Sequence, residues 1–240
     1  IDQLTSTAAS HQRTFVVEVM GRHCGYLPLM AAVAGGADYV FTPEDPAGQG
    51  WQDDLAEHLR LGREAGRRES IVLVAAGAHD RDGNELSTQL IADTIQERTG
   101  EDARVTILGH VQRGGTPSAY DRWMSTLLGY AAVQEILDSS AEDEPVILGV
   151  RRNRITRVPL MKAVHDTRAV KDLIAAGDYA AAQASRGSSF SSMVGIYHLL
   201  STPPQLSPEP TGDSLRVEIR HAGGLAPGMN TAARVAVRLG

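Results

Sequence analysis

The sequence predicts an α/β fold in which a parallel sheet is covered by helices on both faces. Two observations lead to this fold class. First, short apolar runs rich in β-branched residues recur at 15–20, 71–75 and 105–108. Strands that are apolar along their whole length are typical of parallel sheets buried on both faces. Second, segments with helical spacing separate these runs, and parallel strands need such crossover connections.

Local signals place the individual elements. Ser87 is expected to cap a helix whose Leu90, Ile91 and Ile95 face the core. The turn at 80–84 lacks the ligand spacing and distal glutamate of a calcium loop, so no metal site is expected there. In chain order the expected elements are a helix end and polar turn (1–13), strand (15–20), helix (26–34), strand (38–41), loop (42–50), helix (51–67), strand (71–75), the Ser87 helix, strand (105–108), helix (117–137), strand (146–150), helices (159–176 and 178–185) and a turn (186–190).

Composition and charge exclude several classes of function. The chain of 240 residues is 42% hydrophobic and carries a net charge of −6, which is typical of a soluble globular protein of one or two domains. An acidic balance argues against general nucleic-acid binding, which needs a basic face. No apolar run approaches the roughly 18 residues that cross a membrane. The single cysteine, Cys24, excludes a disulfide framework and a thiolate zinc cluster and is interpreted as a packed thiol.

Residues 104–122 combine a strand, a glycine turn and a helix start. His110 and Arg113 stand just after the strand, and Thr116 is expected to cap a helix with Pro117 in its first turn. Glycines let backbone amides approach a ligand, a helix start favours an anion, and arginine forks grip phosphate. An ordinary strand-to-helix turn with a solvated arginine explains this stretch equally well on composition alone.

The same arrangement recurs twice, which favours the functional interpretation. The strand at 15–20 runs into Gly-Arg-His-Cys-Gly at 21–25, and a third apolar run at 215–219 precedes a glycine-rich turn at 221–230. A helical segment follows each turn. Two of the three turns contain arginine, so the sequence predicts phosphate-bearing ligands held by a few local arginines.

The chain is expected to contain more than one structural part. Residues 1–200 form the first, a proline-rich linker follows at 201–213, and a new domain starts within 214–240. Neither end resembles a natural terminus, so the chain is expected to be a piece of a longer protein. The basic cluster of Arg151, Arg152, Arg154 and Arg157 is interpreted as solvated surface.

Three motifs resemble the signatures of the 6-phosphofructokinases: VVEVMGRHCG at 16–25, LGHVQRGGTPSAYDR at 108–122 and GGLAPGMN at 223–230. Their order resembles the long, eukaryotic-like type, in which a linker joins two homologous halves, and the similarity covers essentially the whole chain. The resemblance implies a cytoplasmic, glycolytic, allosteric enzyme that uses ATP and Mg²⁺ and works as a homo-oligomer. Such an enzyme transfers the γ-phosphoryl group of ATP to the 1-hydroxyl of fructose 6-phosphate.

The resemblance also implies roles for individual residues. Met20, Gly21 and Arg22 contact fructose 6-phosphate, with Arg22 closest to the reacting phosphoryl group. The second motif supplies the rest of this sugar-phosphate site, and His110 and Arg113 within it hold the 6-phosphate. The residues expected from that motif are His110, Val111, Gln112 and Arg113.

Further parts of the active site are expected outside this half. Arg13 and Arg104 match arginines that reach the site of a neighbouring half or subunit. The catalytic aspartate and the nucleotide-phosphate loop are expected upstream of Ile1. The 240 residues alone are therefore expected to be inactive, and no metal ligand is assigned to them.

Two positions depart from the pattern of the family. Ala76 stands where the family has a glutamate that hydrogen-bonds the sugar hydroxyls, and Leu225 replaces an acidic or small residue of the second-half loop. These departures keep open a non-catalytic regulatory half that binds a sugar-phosphate effector. A pyrophosphate-dependent phosphofructokinase is a further alternative, since donor-specific residues are expected upstream. A dinucleotide-binding oxidoreductase is disfavoured because no strand is followed by G-x-G-x-x-G.

Overall fold

The computed structural model describes residues 1–203 together with four isolated positions, Gly228, Ala232, Ala233 and Ala236. The described residues fall into two compact units. One contains Ile1–Gly109 and the described residues from Arg186 onward, and the other contains His110–Ser185. The elements of each unit are built around separate sheets, so each unit is considered by itself.

Some expectations concern residues beyond this description. The strand expected at 214–219, the glycine loop with Leu225 and most of the 201–213 linker lie outside the described residues. The division of the chain into 1–200, 201–213 and 214–240 therefore stays a prediction.

Alternating strands and helices dominate the described chain. The strands are β1 Thr14–Val19, β2 Tyr39–Phe41, β3 Ser70–Ala75, β4 Ala103–Ile107, β5 Val146–Arg151 and β6 Arg154–Pro159. The helices are α1 Asp2–His11, α2 Tyr26–Gly35, α3 Trp51–Glu64, α4 Thr88–Thr99, α5 Ala119–Asp138, α6 Leu160–Ala175, α7 Tyr179–Ser185 and α8 Ser188–Ser201, with a 3₁₀ turn at Gly109–Arg113.

The first unit confirms the predicted parallel sheet. Its strand order is β2-β3-β1-β4, and every neighbouring pair is parallel. In this register Val19 lies beside Ala75 and Glu18 beside Ile107, so the carboxyl ends of β1, β3 and β4 share one edge of the sheet. We call it the carboxyl edge, and the opposite one the amino edge.

Helices cover both faces of this sheet, as predicted. Side chains alternate along a strand, so Val16 of β1 packs into a core with α3 and α4, whereas Val17 packs into a second core with α1, α2 and α8. All six residues of β3 are buried. Each fully buried aliphatic side chain contributes about 1.5–3 kcal/mol relative to exposure.

One detail of α4 differs from the sequence expectation. Ser87 does cap α4, since its hydroxyl accepts the Leu90 N–H at 3.1 Å. Leu90 itself is 45% exposed, whereas Ala92 is buried with Ile91 and Ile95. Leu90 lies one helical step outside the 91–92–95 face, so the expectation that it packs inward was wrong.

At the amino end, residues 2–11 form a helix, α1, and a turn follows it, as expected. Its last turn closes on Gln12 in the left-handed conformation (φ 53°). Residues 186–190 were expected to be a turn, but α8 already begins at Ser188.

In the second unit α5 begins later than expected. Its cap is Ser118 rather than Thr116, and Pro117 precedes the helix. Asp121 accepts the Ser118 N–H at 2.8 Å while Ser118 Oγ accepts the Asp121 N–H at 3.2 Å. This reciprocal capping box satisfies two backbone donors together, which a cap at Thr116, with Ala119 three residues on, cannot do.

The basic cluster lies on an antiparallel hairpin. β5 was predicted, but the returning strand β6 was not, because the turn between them lacks the usual glycine. Arg152 and Asn153 adopt φ values of 51° and 63° in that turn. The four arginines of the cluster are exposed, and Arg157 pairs with Glu135 at 2.6 Å.

A stripe of apolar side chains along α5 is exposed. Its large residues recur at three- and four-residue spacing and are 41–72% exposed. They are Tyr120, Trp123, Leu127, Tyr130, Val133, Ile136 and Leu137.

Candidate functional site

The loop that follows β1 carries the arginine on which the sequence interpretation centres. Arg22 and His23 both have left-handed backbone conformations, with φ values of 45° and 63°. This conformation is unfavourable by about 1–2 kcal/mol for each non-glycine residue, so other contacts must hold the loop in place. Arg22 is exposed and forms no ion pair with any described residue. Its guanidinium is therefore available to a ligand at the carboxyl edge.

Ala76 is directly beside this loop. Its N–H donates to the carbonyl of Val19 at 2.9 Å, and its carbonyl accepts the His23 N–H at 3.1 Å. A longer side chain at position 76 would start next to the loop that holds Arg22. Alanine presents only a methyl group there, which cannot accept a hydrogen bond from a sugar hydroxyl.

Gly77 permits the close approach of His23. Its φ is 87°, and a Cβ added at this position would collide with the His23 ring. Position 77 therefore needs glycine for two reasons, the left-handed backbone and the space that the imidazole fills.

Two charged residues that the sequence interpretation missed also contact the loop. Glu44 Oε2 accepts the Gly25 N–H at 2.8 Å. Arg186 donates from Nε to Glu44 Oε1 at 2.8 Å and from Nη2 to the His23 carbonyl at 3.1 Å. Neither residue belongs to a recognisable motif, and 142 positions separate them, so no local signal reveals the pair.

The second predicted group forms one turn of 3₁₀ helix in the other unit. Within Gly109–Arg113, the side chains of His110, Val111 and Arg113 are exposed and Gln112 is half-buried. The Gly114 N–H closes the turn on the carbonyl of Val111 at 3.2 Å. His110 and Arg113 thus project from a short rigid turn rather than from an open glycine loop.

The start of α5 is not an open anion site. The carboxylate of Asp121 already accepts both the N–H and the hydroxyl of Ser118. The hydrogen bond from the Ser118 hydroxyl, and to a lesser extent that from its N–H, holds the pKa of Asp121 below its usual value. These two donors of Ser118 are therefore already paired within the protein.

Arg13 and Arg104 occupy the opposite edge of the first sheet. Arg13 precedes β1 and Arg104 is the second residue of β4, and both pair with Oδ2 of Asp102, at 2.8 and 2.9 Å. A strand rises about 3.3 Å per residue, so the length of β1 separates this pair from Arg22 by roughly 20 Å. Their half-exposed side chains cannot serve the same ligand as Arg22 within one chain.

Neither the single cysteine nor a metal-binding cluster adds a functional site to the residues that the structure describes. Cys24 is half-buried, and burial raises the pKa of its thiol, in keeping with a packed side chain. Among the residues that the structure describes, no group of three or more His, Cys, Asp or Glu side chains is placed to hold a metal ion. No helix within the described ranges is both long and apolar enough to span a membrane.

The first unit is thus a parallel α/β structure with a glycine loop and an exposed arginine at its carboxyl edge, where open α/β sheets bind their ligands. The family model described as Phosphofructokinase matches residues 1–136. The chain belongs to the phosphofructokinase family.

Individual relatives agree with this assignment. The chain is 47% identical over 240 residues to the ATP-dependent 6-phosphofructokinase of Aspergillus niger and 45% identical to the liver type of Bos taurus. These alignments cover 99% and 100% of the chain but 30% of each relative. The phosphofructokinase structure from Saccharomyces cerevisiae superposes with a TM-score of 0.80 at 41% identity, covering 83% of this chain and 26% of that one.

Proposed function

We propose that the protein containing this chain is an ATP-dependent 6-phosphofructokinase and that the chain supplies the acceptor side of one active site. The observation that carries the proposal is the 45–47% identity to enzymes of that name along essentially the whole chain. The structure supports it with an exposed arginine on a constrained loop at the carboxyl edge. Homo-oligomeric assembly and a cytoplasmic, glycolytic role are part of the same proposal.

In this reaction the 1-hydroxyl oxygen of fructose 6-phosphate forms a bond to the γ-phosphorus of ATP. The bond from that phosphorus to the bridging oxygen breaks, and ADP leaves with the electron pair. The hydroxyl proton passes to a carboxylate that is expected upstream of Ile1. Bound Mg²⁺ supplies charge neutralisation, and its ligands are likewise expected outside these residues.

The residues of this chain position the acceptor and stabilise charge. Arg22 neutralises charge that develops on the transferred phosphoryl group, and Met20 and Gly21 contact the sugar. His110 and Arg113 hold the 6-phosphate, with Val111 and Gln112 completing that segment. Arginine suits both tasks because its planar fork donates two parallel hydrogen bonds to phosphate oxygens.

Arg13 and Arg104 are assigned to the site of a neighbouring half or subunit. Their separation from Arg22 and their shared carboxylate, Asp102, support this role. Co-expression tests it directly. Hybrids of an Arg22→Ala protein with an Arg13→Ala/Arg104→Ala protein should regain activity that neither variant has alone. Hybrids without regained activity would contradict the assignment of Arg13 and Arg104 to a neighbouring site.

Ala76 favours one alternative, a regulatory half that binds a sugar phosphate without turnover. Without the carboxylate, the arginines must supply most of the affinity, and selectivity among sugar phosphates should be low. A pyrophosphate-dependent enzyme is the other alternative, which the identity of the phosphoryl donor decides.

The test uses the full-length protein. Turnover of fructose 6-phosphate is measured with ATP and, separately, with pyrophosphate, and binding of the sugar phosphate is followed by calorimetry. ATP-dependent turnover that Arg113→Ala abolishes supports the proposal. Binding without contribution to turnover identifies the regulatory half, and turnover with pyrophosphate alone identifies the other donor class.

A further inference from the structure

Glu44 is a buried charge that the proposed chemistry does not use. Its side chain is fully buried, and that of Arg186 is 20% exposed. Removing two charges from water costs free energy, and the attraction between them often does no more than offset that cost. Because this buried pair joins residues far apart in sequence, its structural role must be sought in the segments that it contacts.

Both members of the pair bind backbone atoms of the loop at 20–25. Glu44 accepts the N–H of Gly25, and Arg186 donates to the carbonyl of His23. The space around Gly25 is closed as well, because an added Cβ would stand 2.5 Å from Thr42 Cβ and 2.7 Å from Glu44 Oε2. The contacts of Glu44 and Arg186 therefore fix the backbone of the loop immediately after Arg22.

The loop needs such contacts because its own conformation is unfavourable. Arg22 and His23 are two consecutive non-glycine residues in the left-handed region. One further backbone bond, from the His23 N–H to Ala76, ties the loop to the sheet. Released from Glu44 and Arg186, residues 22 and 23 would be free to relax toward the ordinary right-handed or extended regions, which would re-aim the Arg22 side chain.

We propose that Glu44 and Arg186 are positioning residues, which hold Arg22 in the orientation that fructose 6-phosphate requires. The proposal rests on the function proposed above for Arg22. It adds a role for two residues that are not among the substrate contacts proposed above. A second buried pair in the same unit provides a matched control.

That control is Asp38 with Arg67. Asp38 is buried, pairs with Arg67 and accepts the Ile71 N–H at 2.8 Å, so it repeats the chemistry of Glu44. It lies at the amino edge and binds the start of a regular strand. Any effect that arises only from losing a buried pair should appear equally at both places.

The experiment compares Glu44→Gln/Arg186→Met with Asp38→Asn/Arg67→Met in the full-length protein. Removing both charges together avoids leaving one of them buried and unpaired. We expect the Glu44 and Arg186 variant to raise KM for fructose 6-phosphate by roughly tenfold or more, since misplacement of a binding group by about 1 Å can cost up to 100-fold. The control variant should lower the melting temperature by about as much as the Glu44 and Arg186 variant does, but it should leave KM for fructose 6-phosphate unchanged.

Hydrogen–deuterium exchange without ligand gives a reading that does not depend on turnover. The peptide covering residues 20–25 should exchange faster in the Glu44 and Arg186 variant and at the wild-type rate in the control. Arg186→Lys, which keeps the charge but not the fork, should be intermediate in both readings. It also serves as the test if the double variant fails to fold.

The outcomes separate this proposal from the proposed function. If the wild type lacks phosphofructokinase activity but exchange changes as expected, the function fails and the loop contacts stand. If the wild type is active and KM and exchange match the control in every variant, Glu44 and Arg186 do not position Arg22.

Discussion

Two buried carboxylates in the first unit form similar contacts with different consequences. Glu44 pairs with Arg186 and accepts the Gly25 N–H at the carboxyl edge, while Asp38 pairs with Arg67 and accepts the Ile71 N–H at the amino edge. The first closes on a loop with left-handed residues and the second on a regular strand. Under the function proposed for Arg22, the same kind of buried pair stabilises the start of a strand at one edge and orients a ligand-binding side chain at the other.

The largest effect expected at the carboxyl edge comes from Arg22 itself. Arg22→Ala in the full-length enzyme should lower kcat/KM for fructose 6-phosphate by about 10²–10³-fold, the usual loss for a group that stabilises developing charge. The melting temperature should not change, because Arg22 is exposed and forms no ion pair with the described residues. Steady-state kinetics and thermal unfolding check both statements. If kcat/KM of Arg22→Ala equals that of the wild type, the carboxyl edge has no functional role through Arg22 that distinguishes it from the amino edge.

The next effect concerns Ala76, beside the same loop. Ala76→Glu should strengthen fructose 6-phosphate binding by roughly 1–3 kcal/mol, since the new carboxylate accepts hydrogen bonds that now go unmade. Selectivity among sugar phosphates should increase with it. Calorimetric titration of the full-length protein and the variant measures both quantities. Unchanged affinity and selectivity would indicate that another residue replaces the glutamate or that the ligand is a different phosphate.

A pair of glycine substitutions separates backbone strain from loop displacement. Gly77 and Gly83 have φ values of 87° and 85°, but an added Cβ meets His23 only at Gly77. Gly83→Ala should cost about 1 kcal/mol of unfolding free energy through the left-handed backbone alone. Gly77→Ala should cost about 1–3 kcal/mol more through overpacking against the imidazole.

Chemical denaturation gives the two stabilities, and kinetics gives a second contrast. Only Gly77→Ala should raise KM for fructose 6-phosphate, because only this substitution moves the loop. Equal effects of the two alanines on stability and KM would show that the His23 contact has no influence on the site.

The smallest effect is a pH dependence at the carboxyl edge, in the loop after β2. A hydrogen bond from His198 to Asp45, at 3.2 Å, raises the pKa of His198. The stability from this pair is fully present below the unfolded pKa of about 6.5 and is lost as pH rises through the raised folded value. Because both side chains are partly exposed, His198→Gln should cost less than about 1 kcal/mol. Thermal unfolding should show that His198→Gln lowers stability at about pH 5.5 but not at about pH 8.5, two values that lie on either side of the usual pKa of histidine. A loss of stability that does not depend on pH would contradict this prediction.

Sequence patterns were sufficient for the first sheet because its strands are predominantly apolar. The runs at 71–75 and 105–108 are both parallel neighbours of the run at 15–20. The hairpin was harder to predict because its Arg152–Asn153 turn carries no glycine, although both residues adopt left-handed conformations. Its second strand consequently resembled a solvated basic cluster.

The candidate site was predictable only where a motif carries it. Arg22 follows a strand and stands in a glycine-flanked loop, which are local signals. Glu44 and Arg186 look like ordinary surface charges in sequence, and tertiary contacts between distant segments bring them together. Whether a charge is buried depends on tertiary contacts, which local patterns do not encode.

The apolar stripe along α5 is expected to promote association between copies of the 240-residue chain. Contiguous exposed apolar surface of this kind drives association, because burying it against another copy removes it from water. Expressed in isolation, the chain should precipitate or form soluble aggregates as its concentration rises. A charged substitution such as Tyr130→Lys, at a position that is 67% exposed, would make the isolated chain easier to handle. The substituted residue belongs to the second unit.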